Sequence, residues 1–451
     1  MHLSAVGRLG RLAFLCSGFA RLAFLVKDMA VFYSLLFHFF VRSKCCSEQG
    51  AFSRILVAIY PNKKSRDKRS DRRRNVNVPY PTFSTMRKLI ATSSCIALLV
   101  FFWTFVQGAE SKLRSAIILP HGDFAWDPTL VSNKNERAAA DAVATAAREA
   151  SRWFVQQHFP QGDDHLILIS TPHGITVEND FSLLTGSPQA AGSATIGQDL
   201  IPPNTNKTYT ISIRNVRINQ TISNQLYQYL RRHADTQNVT LMNASPDGVS
   251  PVPLFWGEVV PLLLLKQQQQ QEHLTKTTLH KQSKSHLIWS HPRRRLIEAN
   301  HMVSELVHMG SRVRRFLDTH YSHLDWSILI SGDLAHTHRA NGPYGYSRDA
   351  AKLDQALETW ASGGQFGADL CTNATARNAL LQRAPNYQPQ GKACAFTGIV
   401  FLHGLLCGYD SGRTSDQAWH SRVLINRNVT YYGMMVAEFW PGDDPSPMPR
   451  A

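Results

Sequence analysis

Apolar residues in this 451-residue chain fall into two kinds of run. Short, nearly continuous apolar runs read as buried strands, and longer stretches with apolar positions every three or four residues read as amphipathic helices. Strands are predicted at 116–119, 166–170, 208–214, 239–242, 287–290 and 326–331, with a closing strand at 429–439. Helices are predicted at 138–157, 219–234, 299–319 and 349–361, where Lys352, Ala356 and Trp360 keep helical spacing, and an apolar helix at 394–406. Residues 259–265 form another buried apolar run, and 267–285 is a Gln- and Lys-rich stretch expected to be a surface insertion. The alternation predicts an α/β fold, a single large domain whose mostly parallel central sheet is flanked by helices.

Three of these strands end in a similar way. The first is followed by Pro120-His121-Gly122, the second by Pro172-His173-Gly174, and the sixth by Gly332-Asp333-Leu334-Ala335-His336. Proline stops a strand and glycine permits a sharp turn, so each imidazole is expected to point into a cleft. In open α/β sheets ligands bind at the carboxyl ends of the strands, which is where these histidines fall. Neutral imidazoles suit Fe, Zn, Cu or Mn. His121 and His173 are therefore candidate metal ligands. His336 is a candidate third ligand or a general acid/base near neutral pH. Asp333 is a candidate for orienting an imidazole, or else a turn residue. His338 is expected at the surface.

Other residues join these with less pattern behind them. Cys394 follows a polar stretch and opens the apolar helix, where a thiolate would have a lowered pKa and bind metal well; a small buried residue is the plainer reading. Trp256 is expected to line a pocket or pack in the core, and Glu258 to cap or orient. The turn-rich segment 341–346 carries Tyr344 and Tyr346 as possible pocket walls.

The net charge of +15 is unevenly distributed. Residues 1–109 hold 17 Lys and Arg against 4 Asp and Glu, leaving the rest of the chain near neutrality. Nucleic-acid binding by the body thus has little support, and the basic run at 63–74 reads as a solvated linker. Residues 12–41 are apolar but interrupted by Arg21, Lys27 and Asp28. The segment 86–109 has the layout of a secretory signal: Met86-Arg87-Lys88, an apolar core over 90–106, then small residues. Met86 reads as the physiological start, with 1–85 an upstream extension or a gene-model artefact, and 110–451 the body. With Met1 as the start, 90–106 becomes a signal anchor. Sequons at Asn206, Asn219, Asn238, Asn243, Asn373 and Asn428 favour a secreted or lumenal body; a cytoplasmic location follows if the N-terminal segment is an artefact. The body holds three cysteines, Cys371, Cys394 and Cys407, which allows one pair and one free thiol, or three free thiols.

Taken in order, Leu119-Pro-His-Gly122, Thr171-Pro-His-Gly174, Trp256-Gly-Glu-Val-Val-Pro-Leu262, Gly332-Asp-Leu-Ala-His336 and Gly342-Pro-Tyr-Gly-Tyr346 form a set. The set resembles the class III extradiol ring-cleavage dioxygenases of the subunit-B type, together with their Memo-like relatives, over about residues 115–440. The resemblance implies a metal-dependent oxidoreductase using non-haem Fe(II) and O2 on a small catechol-like aromatic substrate. It implies His121 and His173 as ligands and His336 as the acid/base. The dioxygenases place a Glu as third ligand at the start of a late helix. Here that place is held by Cys394, as in the Memo-like branch, which implies copper or iron binding in a redox or partner-binding role without ring cleavage. Carrying Cys394 over as a ligand leaves Cys371 and Cys407 as a disulfide. A zinc hydrolase using His121, His173 and Asp333 fits the motif order less well.

N-terminal sequencing of the native protein tests the Met86 start. A mature terminus near residue 109 is expected, and a peptide from 1–85 would overturn it.

Overall fold

The computed structural model describes residues 113–158, 164–198, 207–275, 283–408 and 417–442. The expected extension, signal segment and Asn206 lie outside these residues. Among the described residues no helix is long and apolar enough to cross a membrane.

Among the described residues eleven strands form: β1 (Leu113–Leu119), β2 (Asp164–Thr171), β3 (Phe181–Thr185), β4 (Gln189–Ile196), β5 (Tyr209–Arg217), β6 (Val239–Asn243), β7 (Val252–Leu254), β8 (Ser283–Ser290), β9 (Asp325–Ser331), β10 (Trp419–Asn428) and β11 (Gly433–Pro441). The longer helices are α1 (Lys134–His158), α2 (Gln220–Arg231), α3 (Trp256–Thr275), α4 (Val303–His320), α5 (Asp349–Ala361), α6 (Ala384–Gly391) and α7 (Phe396–Cys407). Eight strands make the central sheet, in the order β10-β11-β1-β9-β2-β8-β3-β6. Its four middle strands, β1, β9, β2 and β8, run parallel. The flanking strands β11 and β3 pair antiparallel with β1 and β8. The α/β class and the mostly parallel central sheet are as the alternation predicted.

Both faces of the sheet are covered, which explains the continuous apolar runs. Ile118, Leu168, Ile330 and Trp289 pack in one core with residues of α2, α4, α5 and α7. Leu119, Ile169, Leu329 and Ile288 pack in a second core with residues of α1 and α3. A small sheet, β5-β4-β7, joins that second core through Ala190, Ile196, Ile213 and Val252. Sequence reading missed β3, β4 and β7. β4 (QAAGSATI) is rich in small residues and lacks a strong apolar signal.

The closing strand expected at 429–439 forms as β11, beginning at Gly433, and β10, which pairs with it antiparallel across the turn after Asn428, was missed. Polar and charged positions in β10 hid its strand character, because this edge strand is only half-buried. The expected insertion at 267–285 is described in part. Its first part continues α3, with Gln268 buried, and its last three residues begin β8; residues 276–282 lie outside the described set.

Helices α4 and α7 approach closely through two glycines. A Cβ on Gly310 would lie 2.2 Å from the Phe401 carbonyl oxygen, and one on Gly404 2.2 Å from the Val307 carbonyl oxygen. A disulfide joins Cys371 to Cys407 at the end of α7, the pairing that the resemblance implied. Among the described sequons, Asn219 and Asn373 cap helices with their side chains, whereas Asn238, Asn243 and Asn428 are exposed.

Replacing Gly404 with Ala is expected to destabilise the protein by about 1–3 kcal/mol, since backbone rather than a flexible side chain would have to move. Thermal denaturation measures the drop; an unchanged melting temperature would show slack between α4 and α7.

Candidate metal centre

The parallel registers bring four strand ends level. Leu119 pairs with Ser331, Ser170 with Ile330, and Thr171 with Ser290. The residues just past them, His121, His173, His291 and Asp333, are thereby gathered at one edge of the sheet. The glycines of the two Pro-His-Gly turns serve packing rather than an unusual backbone angle. A Cβ on Gly122 would meet the Tyr432 ring at 2.5 Å, and one on Gly174 would meet Ser290 Oγ at 2.1 Å.

His121 is buried, and its protonation can be read from its partners. Nδ1 lies 2.9 Å from Ser331 Oγ. That hydroxyl donates its only proton to the Gly257 carbonyl oxygen. Ser331 must therefore accept from Nδ1–H, which leaves the lone pair on Nε2. Nε2 faces Cys394 Sγ at 3.6 Å and Asp333 Oδ2 at 3.4 Å. The Asp333 carboxylate also accepts from the backbone N–H groups of His121 and Gly122, both at 3.3 Å. Asp333 thus holds the backbone of the His121 turn.

His173 stands edge-on to His121, with ring centroids 4.8 Å apart, and Trp256 lies over it at 4.6 Å. Its Nε2 is buried without a hydrogen-bond partner. Burial, aided by the charge of Arg295 and by His336, pushes its pKa down to about 3. Burial likewise holds His121 well below its ordinary value. Both rings are neutral at pH 7, the form that ligates metal.

Cys394 lies two residues before α7 rather than opening it. Sγ accepts from the Asp333 backbone N–H at 3.1 Å. The expected lowering of its pKa is not found. Burial, and then the Asp333 charge, raise it, because desolvation outweighs any help from the helix. The ligand atoms of His121, His173 and Cys394 all lie within 4.8 Å of one another, and Asp333, His336 and Cys394 form a second group by the same measure. Two imidazole nitrogens and a thiol sulfur are donors suited to iron, copper or zinc, and the orphaned His173 Nε2 is the kind of atom a cation would satisfy.

His336 is fixed through its backbone N–H, which donates to the Gly391 carbonyl at 2.8 Å. Its ring lies 5.5 Å from Tyr344 and 5.8 Å from Tyr432, and its Nε2 has no partner. Burial, with His338 and Arg295, lowers its pKa to about 4. His338 is not at the surface as expected. It pairs with Asp354 at 2.7 Å, and Asp354 also accepts from the Ala335 N–H at 2.8 Å. The pair holds the loop on both sides of His336. Tyr344 and Tyr346 are half or more exposed at the rim.

Sequence reading did not single out Ser331, His291 or Arg295. His291 is fully buried, with Nε2 2.7 Å from Ser170 Oγ. The signal it offers in the sequence is a His directly after a predicted strand, ahead of Pro292. Glu258 proves to be a fully buried capping residue. It accepts from the Phe255 N–H at 2.7 Å, and burial raises its pKa to about 7.

No family model matches the chain, and no curated protein matches it. Among solved structures it is similar to the uncharacterized protein JW3007 from Escherichia coli K12. The identity is 9%, over 72% of this chain and 99% of that one, with a TM-score of 0.34. A likeness of this strength carries no argument about function.

Seven histidines, His121, His165, His173, His286, His291, His336 and His403, bind protons more weakly in the folded chain than the ordinary value of 6.5. Below about pH 6.5 the unfolded chain takes up protons that the folded chain refuses, so stability falls as pH drops toward about 4. Urea midpoints of the metal-free protein should decline steeply across that window. A flat profile would show these rings to be open to solvent.

Proposed function

We propose that the chain is a metal-dependent oxidoreductase related to the extradiol dioxygenases and Memo-like proteins. Its metal is held by His121, His173 and Cys394. The observation that carries this reading is the convergence, within 4.8 Å, of two neutral imidazoles from the ends of parallel strands and the thiol that precedes α7. A bound iron or copper ion supplies electron exchange with O2.

The chain's own groups supply the rest. Ser331 fixes the His121 ring with Nε2 toward the ligand cluster. Cys394 gives up its proton on ligation, so uptake of metal releases acid. His336, neutral at pH 7, accepts the proton of a substrate hydroxyl at Nε2 and can return it later. Trp256 and Tyr344 offer flat surfaces for a small aromatic substrate.

One observation favours a second reading. At the start of the late helix, where the resemblance implies a glutamate ligand for ring cleavage, stands Cys394, with its thiol 3.6 Å from His121 Nε2. On that reading the protein is Memo-like and binds copper or iron in a redox or partner-binding role without opening a ring. A secreted or lumenal location belongs to the proposal, and the Cys371–Cys407 disulfide supports an oxidising compartment.

Metal analysis of the purified body, with O2 uptake on a catechol panel after anaerobic Fe(II) loading, tests the two readings together. His121→Ala and His173→Ala are each expected to lose metal. His336→Ala keeps metal but loses roughly 100- to 10,000-fold in turnover. Stoichiometric copper with no uptake on any catechol selects the second reading. Full metal content in His173→Ala would overturn the ligand set.

A further inference from the structure

Arg295 is 8% exposed, lies in a single helical turn after β8, and forms no ion pair among the described residues. Its Nη2 donates to the carbonyl oxygen of Pro172, the residue before His173, and its Nε has no partner. Pro172 immediately precedes His173, so this bond anchors the guanidinium beside the candidate centre. A buried guanidinium without an anion is costly, and natural sites supply one.

The Cys394 thiolate does not fill that need once a metal is bound. A divalent ion, one thiolate, the Asp333 carboxylate and the guanidinium together leave the site positive. A second cation stands beside Tyr344. Lys392 Nζ lies 5.5 Å from the centre of the Tyr344 ring, and Tyr344 stands 5.5 Å from His336. Lys392 adopts a left-handed backbone (φ 59°) at the end of α6, a conformation that non-glycine residues rarely take.

We propose that Arg295 binds an oxyanion group of the ligand that enters the His121–His173–Cys394 site, and so selects anionic ligands over neutral ones. Carboxylates and phosphate esters share the chemistry a guanidinium fork recognises. This inference rests on the reading of the site as a ligand-binding centre. It concerns charge selection and not the metal's identity.

The test is a fluorine NMR titration of para-fluorobenzoate and of neutral para-fluorobenzamide, with inorganic phosphate as competitor. Wild-type, Arg295→Gln and Arg295→Lys proteins are compared, each metal-free and metal-loaded. Wild type is expected to favour the benzoate by about tenfold or more, the scale of one charge-assisted hydrogen bond. Arg295→Gln loses the preference and Arg295→Lys keeps part of it, while both retain the wild-type metal content. Benzoate binding tighter than phosphate assigns the anion as a carboxylate, and the reverse order assigns it as a phosphate. Should Arg295→Gln fail to fold, a reduced preference in Arg295→Lys carries the test. Equal affinity of wild type for the two probes, no benzoate binding, or a full preference surviving in the folded variants would overturn the proposal. A wild-type protein that holds no metal would sink the proposed function, while the metal-free titrations would still decide the role of Arg295.

Discussion

The pairing of β9 between β1 and β2 decides which side chains can meet. Parallel strands in register end at the same height, so whatever follows Leu119, Thr171 and Ser331 shares one small volume. Sheet hydrogen bonding thus brings together residues more than two hundred positions apart in sequence, such as His121 and Asp333. A one-residue slip of β9 would turn Ser331 to the other face of the sheet and remove the bond that sets the His121 ring. The backbone ladder is therefore the first determinant of the site's chemistry, and the side chains act within the frame it sets.

Much of this frame was legible in the sequence. The apolar runs of β1, β2 and β9 are continuous because both faces of those strands are buried, and that pattern is hard to mistake. His121, His173, His336, Asp333 and Cys394 were named from strand ends and motif order, and the structure brings them together. What was not legible depends on contacts between distant segments. Ser331 looks like the last residue of a strand, and only the proximity of Gly257 and His121 gives its hydroxyl a direction. His338 looked like a surface residue because nothing local announces Asp354 as its partner. The Cys394 thiol was expected to be acidified by a helix end, but burial governs it, and burial is a property of the whole fold.

The electrostatics of the centre follow from the same burial. Low dielectric surroundings keep the imidazoles neutral and the thiol protonated until a partner arrives. They also make Arg295 conspicuous, since a fixed positive charge is retained where other titratable groups are pushed toward neutrality. The metal-free site is a set of neutral donors with the Asp333 carboxylate among them and the Arg295 guanidinium beside them.

The disulfide between Cys371 and Cys407 spans a sequence separation of 36 residues. Cys394 lies inside the covalent ring so formed, together with α6 and most of α7. A single protease cut anywhere between those two half-cystines leaves both ends joined to the rest of the chain. The thiol that faces His121 is thereby tethered from both directions. Nicked molecules would migrate intact on a non-reducing gel and come apart only after reduction.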